Sequence, residues 1–135
     1  MFNVQCSTGG TMKYDLEERL VSFAVRIIDV AESLPKTRAG NHLAGQLIRS
    51  GTSPAFNYGE AQAAESKDDF IHKMKVVLKE LKETRVCLTI IGRKGFIQSK
   101  GILEGSHEEC RQLIAIFGKS ITTARGRSNN VNIEH

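Results

Sequence analysis

This 135-residue chain has no tryptophan, only two prolines and few aromatic residues, at 6%. Strand signals are nearly absent too: no stretch alternates apolar and polar residues between turn clusters, which argues against β architecture. No run approaches the roughly 18 apolar residues of a membrane span, so no membrane partner is expected. The opening MFNVQCSTGGTM has no basic start leading into an apolar run and does not read as a signal peptide. Met12 offers an alternative start. The cysteines, Cys6, Cys87 and Cys110, are odd in number and lack CxxC spacing. That excludes a disulfide framework and a thiolate zinc site, and leaves thiols used as small hydrophobes in a reducing cytoplasm. Nucleophile-elbow, Walker and dinucleotide-binding glycine patterns are missing. The chain is therefore expected to be cytoplasmic, non-catalytic and without cofactor.

What is present is helical periodicity. The length suits one domain, and four amphipathic patterns follow one another with short breaks. The first spans about 16–34, with Asp15 and Glu18 as a capping box and Leu16, Leu20, Phe23, Ile27, Val30 and Leu34 as its apolar stripe. The second spans about 38–64. The third spans about 67–91, capped by Ser66 with Asp69, and the glycines of GRKGF end it. The fourth starts at Ser106, where Glu109 completes another capping box. These patterns predict an all-α fold, an antiparallel up-down four-helix bundle over residues 13–125. Polar tails, 1–12 and 126–135, flank it.

The second helix is unusual. Gln46, Ser50, Ser53, Asn57 and Glu60 recur at helical spacing in a stretch whose only formal charge from Asn41 to Gly59 is Arg49. Pro54 lies in the middle. The polar positions keep one phase across it, which predicts one long helix kinked at Pro54 rather than two. A helix this apolar on most sides is expected to be buried on most sides, so packing against a second subunit is predicted. Each buried polar group left unpaired costs about 1–3 kcal/mol. The seam of Gln46, Arg49, Ser50, Ser53, Asn57 and Glu60 is therefore expected to be a satisfied structural network. A ligand site or pore lined by the same residues is the alternative.

The net charge is +4. On a helical wheel, Lys75, Lys79, Lys82 and Arg93 fall within about 60° of one another at 100° per residue, without an acid in the arc. Lys94 follows. Such a stripe is a candidate phosphate-binding surface for RNA or DNA, or else a solvated helix face. No base-reading motif accompanies it, so binding with little sequence specificity is expected. Glu104-x-x-His107 and Asp69-x-x-His72 have the spacing of di-iron bundle ligands, but both sit at predicted helix starts where acids serve as caps, and no metal is expected.

LPK, followed by QLIRSGTSPAFNYGEAQAAESKDDFIHKMKVVLKELKET, resembles the bacterial four-helix bundle family of proteins encoded in 23S rRNA intervening sequences. A related branch is the accessory (variability determinant) protein of diversity-generating retroelements. The resemblance covers about residues 13–125 and is most specific at Arg49-Ser50, Ser53 and Asn57-x-x-Glu60. It implies an up-down bundle assembled as a homopentameric barrel, without enzymatic activity. It also implies a nucleic-acid role or an adaptor role beside a polymerase-like, reverse-transcriptase partner. Where the family often reads Asn-Ile-Ala-Glu-Gly, this chain has Asn57-Tyr58-Gly59-Glu60-Ala61, which marks a divergent branch.

Overall fold

Helix termini show how local chemistry starts the fold. In the computed structural model, which describes residues 15–133 and side chains from 15 to 126, Asp15 accepts a hydrogen bond from the Glu18 amide and opens α1 (Leu16–Glu32). Thr37 does the same through the Gly40 amide for α2 (Arg38–Gln62). Ser66 caps α3 (Lys67–Lys94) through the Asp69 amide. The fourth helix, α4, runs Lys100–Ile133. Residues 1–12, expected as a tail, lie outside the described residues, as does Cys6. The backbone of 126–133, also expected as a tail, continues α4.

Apolar spacing then packs the helices. Leu20, Phe23, Ile27 and Val30 of α1 are buried, with Met74, Val77, Leu81, Leu88 and Ile91 of α3 and Cys110, Leu113, Phe117 and Ile121 of α4. From α2 come Leu47, Tyr58 and Ala61. Tyr58 meets Phe117 edge-on at 5.6 Å between ring centres. Consecutive helices pack side by side and α1 returns to α4, so α1 and α3 occupy opposite corners of a four-helix bundle. Among the described residues there is no strand, and no helix is long and apolar enough to cross a membrane.

Several boundaries differ from the sequence reading. Helix α1 stops at Glu32, two residues early, where the Ser33 amide turns back to the carbonyls of Val30 and Ala31. Helix α3 passes through Gly92 and ends only at Gly95, whose φ of 74° lies in the left-handed region that glycine adopts without strain. The largest correction is at Ser106. It is not a cap but a fully buried residue one and a half turns inside α4, and its hydroxyl has no partner. The helix starts six residues earlier because Leu103 packs on the core beside Gly92, which outweighs the poor helix propensity of Gly101 and Gly105.

Helix α2 is continuous through Pro54, as its polar phase predicted. Gly51 lets it lie close to α1: a methyl group there would collide with the branched side chain of Ile27. In the single chain α2 buries one face only. Gly45, Phe56, Gly59 and Ala63 lie on the open side, and Phe56 is 73% exposed.

Candidate nucleic-acid interface and the polar seam

Helix α2 turns Arg49, Ser50 and Glu60 of its polar seam to partners on α3, while Ser53 and Asn57 pair with each other. Ser50 is fully buried, with its Oγ 2.9 Å from Thr84 Oγ1. That threonine also lies 2.9 Å from the Glu80 carbonyl. One hydroxyl proton serves the carbonyl and the other joins the two side chains, so no buried hydroxyl is left over here. Arg49 forks across to α3, Nη1 donating to Glu80 at 3.1 Å and Nη2 to Glu83 at 2.7 Å. Those hydrogen bonds and the two carboxylate charges hold the guanidinium pKa above its ordinary value. Glu60 accepts from Lys73 at 2.8 Å, and the contact likewise raises the lysine. Asn57 Nδ2 turns back to Ser53, 2.8 Å from its hydroxyl and 3.1 Å from its carbonyl.

The seam is thus mainly an α2–α3 fastening. Gln46 stands apart, lining a shallow groove with Glu83, Val86, Cys87 and Ile90. The sequence reading missed the partners on α3. Their signal was available: Thr84 occupies the apolar phase Leu81, Thr84, Leu88, Ile91, where a polar residue needs a buried partner.

The basic residues stand on the outer corner of α3. Lys75, Lys79, Lys82, Arg93 and Lys94 are all exposed. The five ion pairs among the described residues use Arg19, Arg49, Lys73 and Arg111, and none of these five. Lys94 rests over the Phe96 ring at 5.7 Å. Arg19, Arg49 and Lys73 are thus held by carboxylates of a neighbouring helix, and the cations on this corner are left for solvent or a ligand. The stripe is not continuous. Val86 lies within the same arc and Ile90 just beyond its edge, 52% and 47% exposed, and they divide Lys82 from Arg93 over about 16 Å. The helical wheel already placed Val86 between the cations, but a count of charges alone passes over it.

The metal-spaced pairs do not converge. His107 Nε2 lies 3.0 Å from Thr89 Oγ1, and His72 is exposed. Among the described residues no three His, Cys, Asp or Glu side chains gather into a ligand set. Cys87 and Cys110 are buried free thiols, and burial pushes the Cys110 thiol up to about 12.

With this geometry in hand, comparison with known proteins gives two positive findings. The model of the 23S rRNA-intervening sequence protein family matches residues 13–119. A crystal structure from Bacteroides thetaiotaomicron VPI-5482, described as a protein of unknown function from the S23 ribosomal protein family, superposes with a TM-score of 0.72 at 29% identity. The match covers 78% of this chain and 97% of that one. Among curated proteins, none matches.

Proposed function

The chain belongs to the 23S rRNA-intervening sequence protein family, and from that premise we propose that it is a non-catalytic, homo-oligomeric bundle that binds structured RNA or DNA. Contact is made with phosphates through Lys75, Lys79, Lys82, Arg93 and Lys94, with little sequence specificity. The observation that carries this reading is the clustering of cations: five lie exposed on the outer corner of α3 and none of them takes part in an ion pair among the described residues, whereas Arg19, Arg49 and Lys73 are held by carboxylates. Unpaired cations aligned on one helix face release counterions when a polyanion binds, and that release drives association. Several copies side by side, five in the barrel that the resemblance implies, multiply the effect.

The test is fluorescence anisotropy with a structured RNA and a DNA duplex across a salt series. Affinity is expected to fall steeply with salt, and K75E/K79E/K82E/R93E is expected to weaken it at least tenfold. Absence of binding at low salt, or unchanged affinity in the variant, overturns the proposal.

A second reading, an adaptor for a protein such as a polymerase-like partner, is favoured by exposed Val86 and Ile90 amid the cations. Phosphates do not select for apolar side chains. Nuclease-resistant co-purification of such a partner, abolished by Val86→Glu, would favour it.

A further inference from the structure

The two turns at one end of the bundle carry cations that local helix chemistry does not call for. Residues 33–42 and 92–103 hold Lys36, Arg38, Arg93, Lys94 and Lys100, and neither stretch contains an acid. All of these side chains are exposed, and none takes part in an ion pair among the described residues. The packing register brings them to one level. Glu60 meets Lys73, Ser50 meets Thr84 and Leu43 meets Cys87. Each step back along α2 is therefore a step forward along α3, and Arg38 falls level with the last turn of α3. Cys110 meets Leu81, His107 meets Thr89 and Leu103 lies beside Gly92, which brings Lys100 to the same level.

The helix dipoles make this placement informative. Backbone amides at a helix start carry positive partial charge, so acids stabilise a first turn and cations destabilise it. Helices α1 and α3 start at the opposite end and follow the rule. Glu17 and Glu18 open α1, and Asp68 and Asp69 offset Lys67 in α3. Helices α2 and α4 start at the basic end, have no acid in the first turn, and begin on Arg38 and Lys100. Arg93 and Lys94 sit where the end of α3 favours cations, but Arg38 and Lys100 oppose the dipole. A local rule broken without a compensating contact marks a functional position. A phosphate placed here is attracted by the first-turn amides and by the cations at once. Asp29, Glu32 and Glu104 border the surface on the α1 and α4 sides, so its unopposed part lies over the ends of α2 and α3.

We propose that the end of the bundle formed by the α1–α2 and α3–α4 turns is a second phosphate-binding surface, where Lys36, Arg38 and Lys100 join Arg93 and Lys94. Bound nucleic acid runs from Lys75, Lys79 and Lys82 along α3, past the apolar break at Val86 and Ile90, onto this end. The inference rests on the nucleic-acid reading above and adds three residues and a direction to it: the end that holds Glu65, Asp68 and Asp69 stays clear of phosphate.

The test is anisotropy with an RNA hairpin and a DNA duplex across a salt series. It compares K36Q/R38Q/K100Q with K67Q/K119Q/R125Q, which removes as many exposed cations from the opposite end. K36Q/R38Q/K100Q is expected to weaken binding at least tenfold at low salt and to reduce the slope of log affinity against log salt by about two to three. K67Q/K119Q/R125Q is expected to leave both nearly unchanged, because salt screens charges that lie so far from the ligand. Circular dichroism melts control for folding, and the midpoint of K36Q/R38Q/K100Q is expected not to fall, because two of its exchanges relieve the dipoles. No binding by the wild-type chain would remove the nucleic-acid reading and this surface with it. Binding lost in K75Q/K79Q/K82Q but unaltered in K36Q/R38Q/K100Q would overturn the end surface and leave that reading intact. Equal losses in the two variants from opposite ends would mean that net charge alone acts, and would overturn the surface too. Polyglutamate binding that K36Q/R38Q/K100Q abolishes, with RNA affinity unchanged, would assign the end to an acidic protein and likewise overturn the proposal.

Discussion

The Ser106 hydroxyl is buried without a partner in a helix that could have carried alanine. A polar group desolvated and unpaired costs about 1–3 kcal/mol, and serine is also a poorer helix former than alanine. Ser106→Ala is therefore expected to stabilise the protein by about 1 kcal/mol, read as a higher midpoint in denaturant; a lower midpoint would mean the hydroxyl has a partner. The residue also shows where sequence reading fails. Ser106 with Glu109 has the composition of a capping box, but composition carries no information about whether the preceding turn is already helical. That was decided by Leu103 reaching the core, a tertiary event. At Ser50 the outcome was the opposite: its phase within the seam marked it as buried and paired, and only the identity of Thr84 was missing.

At the scale of the element, α2 was the most legible helix because its polar residues kept phase through Pro54. A proline leaves the Ser50 carbonyl without its usual amide donor but does not end a helix whose flanks are held by neighbours. Those flanks are held closely at Gly51. Gly51→Ala adds a methyl where the Ile27 side chain already sits, and overpacking of this kind costs about 1–3 kcal/mol. The gain in helix propensity, at most about 1 kcal/mol, does not offset it. A fall in melting temperature is expected, with partial recovery in G51A/I27V; an unchanged melting temperature would mean that α1 and α2 separate freely. The α3 corner was legible in its charges and illegible in its apolar residues. Val86 and Ile90 belong to the wheel's outer arc, but an exposed valine has no meaning until the buried face is known.

For the whole molecule, burial dictates the response to alkali. Desolvation, with the charges of Glu17 and Asp15 adding to it, pushes the Tyr58 pKa up to about 12 from an ordinary 10.0. Desolvation lifts Cys110 to about 12 from 9.0. In both, the folded value exceeds the unfolded one, so the unfolded chain loses its proton first. Stability is then complete below about pH 9 and declines between pH 9 and 12, by up to about 1.4 kcal/mol per pH unit for each group. Burial also raises the Cys87 thiol, so it is the double variant C87A/C110A that is expected to move the onset of the decline upward, toward pH 10. Thermal melts across this range check it, and an onset that stays at pH 9 in the double variant would remove the buried thiols as its cause. Assembly is the property that one sequence or one folded chain reveals least directly. A single helix shows apolarity, but complementarity exists only between surfaces far apart in sequence.

The helix order has a kinetic consequence. Three of the four interfaces join neighbours along the chain and close short loops, whereas the α1–α4 seam joins positions about 90 apart, fastened by the Arg19 fork to Glu109 at 2.9 and 3.1 Å. Closing that span carries the largest entropic cost in the fold. It is accordingly the last boundary to form and the first to part, while the α2–α3 hairpin with its Ser50–Thr84 bond stays whole. Slow hydrogen exchange should therefore persist longest in the middle of α2 and α3, and the bundle opens like a book whose spine is that hairpin.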